Sequence, residues 1–252
     1  MFAHYLSLGY LNYGNKIMKR VINFSGGKTS ALMTILLKPT DDDIVLFTDT
    51  GREHPLTYKF IDDFEKYEGI KVTRISYKGK FDAFVRKVKF LPNQQMRICT
   101  TELKIKTAKR YLRSIGIQAF ESYIGFRSDE ERRVKGYKQF HKKVIPKFPL
   151  YDMGLSKKDV TQYWSVKPYT FDVPSILGNC DLCFLKGKSA IITILQHYPE
   201  LADKWIADEK EIGATYFKDL SYQNLLDISK NQLSLFELDS QLPAYSCSCT
   251  TF

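Results

Sequence analysis

Short apolar runs alternate with longer amphipathic segments through the first half of the chain. The runs have the length of buried strands, and the segments between them carry apolar residues at helical spacing. We therefore predict strands over residues 21–24, 44–47, 72–75 and 119–124, and helices over residues 29–37, 55–67 and 101–115. This alternation predicts a doubly wound α/β fold, in which a mostly parallel sheet has helices on both faces.

The pattern changes beyond about Lys147. Residues 167–187 are punctuated by proline and glycine and carry two cysteines. Further helices are predicted near residues 160–164, 189–197, 201–211 and 222–229. The chain is therefore divided into an N-terminal extension (1–18), an α/β domain (19–150) and a smaller helical, cysteine-bearing C-terminal region (151–252).

Composition and charge narrow the possible partners. The chain has 252 residues, 44% of them hydrophobic, and 38 basic against 28 acidic residues give a formal net charge of +10. That balance favours anionic partners, from small nucleotides to nucleic acids. No apolar stretch approaches the roughly 20 residues of a membrane span, and the first 19 residues lack a signal-peptide pattern. We therefore expect a cytoplasmic protein with no membrane partner.

The most informative motif lies between the first predicted strand and the first predicted helix. It reads Ser25, Gly26, Gly27, Lys28, Thr29 and Ser30. A strand, a glycine turn and a helix start leave backbone N–H groups pointing one way, where the helix dipole adds positive charge, so that they form a socket for phosphate. Lys28 and the hydroxyl groups add donors. The spacing differs from the Walker pattern, which has four residues between its first glycine and Gly-Lys.

Two further loops follow predicted strands. Asp49 and Gly51 come after the second strand, where a carboxylate can orient a nucleotide or hold a Mg²⁺ ion that bridges phosphates. Gly125 and Arg127 come after the fourth strand, and an arginine offers phosphate a planar, two-pronged donor. His54 lies beside the Asp49 loop and is a candidate general base.

These loops together resemble the phosphoadenosine phosphosulfate (PAPS) reductase family of the PP-loop ATP pyrophosphatase superfamily. The resemblance extends over roughly residues 20–190 and includes the segments 97–104, 149–154 and 178–184. It implies an adenine nucleotide alpha hydrolase-like fold and makes 19–150 the nucleotide-binding domain. It also implies that ATP or an adenylyl nucleotide binds at residues 25–30, with Asp49, Gly51, Gly125 and Arg127 nearby and Lys28, Asp49 and Arg127 acting in catalysis.

The chain departs from that family at two positions. Adenylating members usually carry aspartate where this chain has Thr29. PAPS reductases carry a Glu-Cys-Gly-His-type motif near the carboxyl end, whereas this chain ends with Cys247 and Cys249 in a serine- and threonine-rich tail. Cys249 is therefore the candidate nucleophile if the reaction is a reduction.

The cysteines form a further candidate site. Cys180 and Cys183 have chelating spacing, and Cys99 and the tail cysteine Cys249 would complete four thiolate ligands for Zn²⁺ or a 4Fe–4S cluster. Three thiolates with one open iron would instead suit sulfur transfer, as in some tRNA-thiolating relatives of the superfamily. A closed structural zinc site and free thiols are equally open alternatives.

A basic stretch that begins just before Cys99 could contact an anionic substrate. It could bind a second phosphate or a nucleic-acid backbone, or form an ordinary solvated surface. Its members are Arg97, Lys104, Lys106, Lys109, Arg110 and Arg113.

The sequence leaves three functions open. They are adenylation of an anionic substrate with pyrophosphate release or related sulfur chemistry, reduction of a sulfonucleotide, and nucleotide or nucleic-acid binding without catalysis around a structural metal. A homodimer is compatible with each of them.

Overall fold

A five-stranded parallel sheet forms the centre of the protein. The computed structural model describes residues 12–13, 16–137, 143–170, 178 and 180–231. The sheet order is β5–β4–β3–β6–β7, and every neighbouring pair is parallel. Its strands are β3 (Lys19–Asn23), β4 (Ile44–Asp49), β5 (Thr73–Ser76), β6 (Phe120–Tyr123) and β7 (Val144–Lys147). A short antiparallel pair, β1 (Asn12–Tyr13) and β2 (Lys16–Ile17), precedes the sheet.

The connections between these strands are largely helical. The α-helices are α1 (Lys28–Leu37), α2 (Pro55–Glu68), α3 (Lys80–Val88), α4 (Thr107–Ser114), α5 (Glu131–Lys135), α6 (Pro149–Asp152), α7 (Lys157–Ser165), α8 (Lys188–His197), α9 (Ala202–Ile212) and α10 (Tyr222–Asn231). A π-helical turn, Thr100–Lys106, leads into α4, and 3₁₀ turns span Ser128–Glu130, Phe184–Lys186 and Pro199–Leu201. In the described residues no helix combines the length and the apolar character that a bilayer crossing requires.

Both faces of the sheet are buried, which confirms the predicted doubly wound α/β class. Val21 and Ile22 are consecutive residues of β3 and point to opposite faces, yet both are fully buried. Val21 packs in a smaller cluster with Ala108 and Leu112 of α4, whereas Ile22 belongs to the larger cluster. That larger cluster continues from the sheet through α7 to α8, α9 and α10, so the helical C-terminal region shares its core with the sheet.

Most predicted elements of the α/β region are present, but several elements, among them β7 and α3, lie where none was predicted. The edge strand β7 contains Pro146 and buries only Val144, so its apolar pattern is weak. Helix α3 buries Phe81, Phe84 and Val85 along one side of an otherwise charged segment. The short strands β1 and β2 fall within the predicted N-terminal extension.

Candidate functional site

Three loops meet at the carboxyl edge of the sheet. Strand β3 pairs with β4 on one side and β6 on the other, and the chain order reverses at this point. In doubly wound sheets the crevice at such a reversal is where ligands bind. Asn23 holds the two strands together there, because its amide donates to Ser122 Oγ (2.8 Å) and to the carbonyl of Tyr123 (2.9 Å).

The loop after β3 is braced by its own serines. The amide of Ser25 donates to Ser30 Oγ (3.0 Å), and the Ser30 hydroxyl donates to the carbonyl of Gly27 (3.0 Å). Gly26 has φ +77°, and a Cβ atom there would lie 2.6 Å from Thr57 Cγ2 of α2. Only glycine therefore fits at this position without strain.

Among the described residues, little lies beside Gly27 at the start of α1. Gly27 precedes α1 with no side-chain cap, and a Cβ atom on it would meet only Ser25 Oγ, at 3.8 Å. In the part of the chain that the structure describes, the amides of Gly26, Gly27 and Thr29 donate to no acceptor. Unpaired amides at a helix start bind anions, so the residues present fit a nucleotide phosphate.

The loop after β6 brings an arginine to the same place. Gly125 lies against α1, since a Cβ atom on it would be 3.5 Å from Ser30 Cα. Arg127 Nη1 lies 3.5 Å from Thr29 Oγ1. Its guanidinium also donates to Asp129 Oδ1 (2.9 Å) and lies 3.4 Å from Glu130 Oε2. Burial opposes ionisation of Asp129, but its hydrogen bonds with Arg127 and backbone amides hold its pKa below the ordinary value.

Asp49 ends β4 and is held by three partners. Its Oδ1 accepts from the Gly51 amide (2.7 Å) and from the Tyr58 hydroxyl (2.7 Å). Its Oδ2 lies 2.5 Å from Lys80 Nζ. Burial, together with the hydrogen bond to Asp49, raises the pKa of the Tyr58 phenol, so that it stays protonated as a donor.

His54 is occupied as a helix cap. Its Nδ1 accepts from the Leu56 amide (3.2 Å) at the start of α2, and its ring packs edge-on against Tyr198. Burial lowers the pKa of His54. The side chain therefore stabilises α2, and the geometry gives it no role as a general base.

The cysteine segment lies against the loop after β4. Cys180 Sγ is 3.5 Å from Thr50 Oγ1 and 4.0 Å from Glu53 Oε1. Glu53 is buried, with Lys104 Nζ 3.9 Å from Oε1, and no described residue forms a hydrogen bond with its Oε2. Burial raises the pKa of Glu53, and burial together with the Glu53 charge raises the pKa of the Cys180 thiol.

The predicted metal ligands do not form a metal site within the described ranges. No three His, Cys, Asp or Glu side chains in residues 16–137, 143–170, 178 and 180–231 are grouped to hold an ion. Cys247 and Cys249, including the predicted nucleophile, lie outside the described residues. The described cysteines alone therefore do not fit Zn²⁺ or a 4Fe–4S cluster.

The basic stretch is divided by the π-helical turn. Lys104 points inward to Glu53, whereas Lys106 pairs with Glu102 and Arg110 stacks over the Tyr77 ring, 5.6 Å from its centroid. Lys106, Arg110 and Arg113 remain exposed. They give α4 a basic outer side.

A buried arginine that the sequence did not single out fixes the loop after β4. Arg52 donates to Asp82 Oδ1 (2.6 Å) and Asp208 Oδ2 (2.7 Å), and its guanidinium lies between the rings of Phe81 and Trp205. Its carbonyl accepts from the Asp181 amide (2.9 Å). Arg52 thus ties the carboxyl edge of the sheet to the C-terminal helices, but only its place between Gly51 and Glu53 could have indicated this from sequence.

The fold and the site define an α/β protein of the PP-loop superfamily. The phosphoadenosine phosphosulfate reductase domain model matches residues 19–167, more than half of the chain. The chain belongs to this family, which confirms the resemblance drawn from its loops.

Curated relatives are similar over most of this chain. An uncharacterized nin region protein of Escherichia phage lambda is 27% identical over 205 residues, 69% of this chain and 68% of the phage protein. An uncharacterized protein of Methanocaldococcus jannaschii is 28% identical over 231 residues, 84% of this chain. The chain spans 47% of that archaeal relative's length.

Two solved structures are distant neighbours. One is a PAPS reductase from Candida auris in a phosphate complex, with a TM-score of 0.46 and 17% identity over 60% of this chain and 74% of that chain. The other is a U34-tRNA thiolase from Methanococcus maripaludis with its [4Fe-4S] cluster, with a TM-score of 0.42 and 16% identity over 93% of this chain and 80% of that chain. At such identities the roles of individual side chains do not transfer.

Proposed function

We propose that the protein binds ATP or another adenylyl nucleotide by its phosphates at Ser25–Ser30 and adenylates an anionic substrate. The observation that carries this proposal is the set of unpaired amides at Gly26, Gly27 and Thr29, at the start of α1. Lys28 in the same loop and Arg127 beside Thr29 add positive charge.

The reaction would proceed by attack of the substrate's anionic atom on the α-phosphorus. A bond forms between that atom and phosphorus, the bond from phosphorus to the bridging oxygen breaks, and pyrophosphate leaves with the electron pair. An anionic acceptor requires no proton removal. Lys28 and Arg127 would offset the charge that develops on the phosphate oxygens, and such positioned charges are a large part of catalysis in phosphoryl-type transfers.

The acceptor is proposed to be anionic because the chain has a positive net charge and exposes basic side chains. The chain carries a net charge of +10, and Lys106, at the end of the π-helical turn, is exposed together with Arg110 and Arg113 on α4. These residues would attract a small anion or a nucleic acid, and the interaction would weaken as salt is raised.

Pyrophosphate release tests the proposal. The full chain should release pyrophosphate from ATP in the presence of a competent substrate, and Lys28→Ala should abolish the release. Lys158→Ala, an exposed lysine on α7, is the matched control and should be unaffected. Unchanged release in Lys28→Ala would contradict the assignment, and nucleotide binding without turnover on any substrate would favour a binding module.

Sulfonucleotide reduction is the second candidate, because the matching family model is that of PAPS reductase. A tail thiolate, Cys249 or Cys247, would attack the sulfur, the sulfur–oxygen bond would break, and the nucleotide would leave as a phosphate. An external dithiol would then release sulfite from the sulfocysteine. The test is thiol-dependent release of sulfite from PAPS or adenosine 5′-phosphosulfate. Release that is lost in Cys249→Ser or in Cys247→Ser would support this reaction, and the absence of release from both nucleotides would exclude it.

A further inference from the structure

The carboxylates around the phosphate loop are already paired with cations of the chain itself. Mg²⁺ needs carboxylate oxygens that are free to bind it. Both oxygens of Asp49 are already engaged, since Oδ1 accepts two hydrogen bonds and Oδ2 contacts Lys80 Nζ at 2.5 Å. Lys80 therefore stands at Asp49 where a metal ion would have to bind.

The other carboxylates near the loop are paired in the same way. Asp129 accepts from Arg127 Nε (2.9 Å), and Glu130 lies 3.4 Å from Arg127 Nη1 and 2.5 Å from Arg133 Nη1. The position where the resemblance leads us to expect an aspartate is Thr29, whose hydroxyl faces Arg127. The donor set at this site therefore does not fit a divalent cation.

Lys80 is held in place by an unusual backbone. It has φ +56°, a left-handed conformation that is uncommon for a residue with a side chain. The Lys80 amide donates to the Tyr77 carbonyl (2.8 Å), and the next amide, that of Phe81, donates to the Thr50 carbonyl (2.9 Å). A Cβ atom on Gly51 would lie 2.7 Å from Lys80 Cδ, so the glycine lets the lysine cross this loop.

The ammonium group of Lys80 still has capacity for a ligand. Its side chain is 47% exposed, and an ammonium carries three donors, of which the contact with Asp49 Oδ2 uses one. The aromatic face of Tyr58 lies 5.9 Å from Nζ and limits where the group can move. Lys80 is thus a fixed, partly accessible cation at the mouth of the crevice.

We propose that this site takes its nucleotide without a divalent cation, with Lys80 supplying at Asp49 the positive charge that Mg²⁺ supplies in metal-dependent nucleotide sites. The inference rests on the proposed function, because it concerns the nucleotide held by the loop at Ser25–Ser30. It assigns Lys80 as a further substrate-binding residue, and it makes the substrate a metal-free nucleotide polyanion.

Calorimetric titration of the full chain tests this assignment. ATP and adenosine 5′-phosphosulfate are each titrated in EDTA and in excess Mg²⁺. Wild-type protein should bind at least one of them in EDTA, and Mg²⁺ should not strengthen the binding. Lys80→Met should weaken binding in EDTA by about tenfold or more, as expected for loss of a hydrogen bond from a charged group. Lys78→Met, on the exposed lysine two residues before, should match the wild type.

Mg²⁺ should strengthen nucleotide binding only when Asp49 has lost its contact with Lys80. In Lys80→Met, Mg²⁺ should restore part of the affinity, and the double variant Lys80→Met/Asp49→Asn should lose that response. Wild-type binding that requires Mg²⁺, or a Lys80→Met protein whose affinities match the wild type, would overturn the inference and leave the proposed function standing. Absence of binding for both nucleotides in both buffers would overturn the proposed function and this inference together.

Discussion

The loop after β3 and the cysteine segment at Cys180–Cys183 are two short motifs whose structures depend on different kinds of contact. The loop is built from backbone, with the positive φ of Gly26 and the amides of Gly27 and Thr29 as its working parts. The cysteine segment is built from side chains, and its outcome depends on Glu53, a residue 127 positions away in sequence. In the described residues, half-buried Cys180 of the chelating pair lies beside the buried carboxyl group of Glu53, 4.0 Å from Oε1.

The difference shows which kind of motif can be interpreted locally. Glycine geometry and a helix start act over a few residues, so their neighbours in sequence determine the anion socket. Thiolates need a partner set brought from elsewhere, and the long-range packing decides whether those partners are metal ligands or a carboxyl group. The structure of the first kind of motif is easier to predict from sequence, because it depends on fewer contacts with distant parts of the chain.

Arg52→Met should have the largest effect on stability. It should loosen the packing around the cysteine segment and leave the loop after β3 unchanged. The substitution keeps apolar bulk between Phe81 and Trp205 but leaves Asp208 buried without its cation. Breaking a buried pair in this way costs about 3–5 kcal/mol. Urea unfolding should show that loss, and Cys180 should become alkylated faster while nucleotide binding at the β3 loop remains.

Arg86→Met is the matched control for this prediction. Its ion pair with Glu211 joins the same two helices, α3 and α9, but both side chains are exposed. The loss should therefore be much smaller than that of Arg52→Met, because exposed ion pairs contribute little to stability. Equal losses for the two variants would show that burial of Arg52 is not what matters.

Gly26→Ala should have the next largest effect and should act on the other region. The added methyl group meets Thr57 Cγ2 at 2.6 Å, and φ +77° is strained for alanine. Strain of this kind costs about 1–3 kcal/mol. We expect reduced stability in urea and a loss of nucleotide affinity in the same titration, because the neighbouring amides turn away from the anion.

Gly69→Ala separates the two parts of that effect. Gly69 also has positive φ, +67°, but nothing lies within 4 Å of a Cβ atom there. It should lose only about 1 kcal/mol of stability and keep its nucleotide affinity. If the Gly26→Ala protein binds nucleotide with wild-type affinity, the loop after β3 is not part of the nucleotide site.

The parts of the protein that were predictable are those with local causes. The strands around Val21 and Leu46 and the helix at Pro55 follow from short apolar runs, a helical spacing and a proline in the first turn. The edge strand with Pro146 was missed, because half-buried edge strands carry little apolar signal. Lys80, which reaches Asp49 from 31 positions away, was missed because no local pattern marks a side chain that crosses between loops.

Glu53→Gln should change the pH dependence of stability by a smaller amount. The folded pKa of Glu53 is raised above its unfolded value by burial, so its contribution to stability is complete below the unfolded pKa and is lost as pH rises towards the folded pKa. Across that interval the wild type loses up to about 1.4 kcal/mol per pH unit through this group. In urea unfolding the variant should lose correspondingly less stability as the pH rises above 4.5.

Other buried carboxyl groups keep part of this slope in both proteins. Asp181, Asp208 and Glu209 also have pKa values raised by burial, so the variant retains a decline. Glu102→Gln, which alters an ion pair with Lys106 at the surface, is the control and should follow the wild type. Identical slopes for Glu53→Gln and the wild type would mean that Glu53 ionises in the folded protein as it does in water.

Metal content should show the smallest effect, and it bears most directly on the difference between the two motifs. A metal ion binds thiolates, whereas burial and the Glu53 charge favour the protonated thiol at Cys180. Protein purified without oxygen should therefore be colourless and hold less than one equivalent of zinc or iron, and Cys180→Ser should not change that content. A brown protein that loses its colour in both Cys180→Ser and Cys249→Ser would reverse this interpretation, because the tail would then supply the missing ligand and displace Glu53 from the thiol. The cysteine segment would in that case be a metal site that needs ligands from a distant part of the chain, whereas the loop after β3 is formed by residues adjacent in sequence.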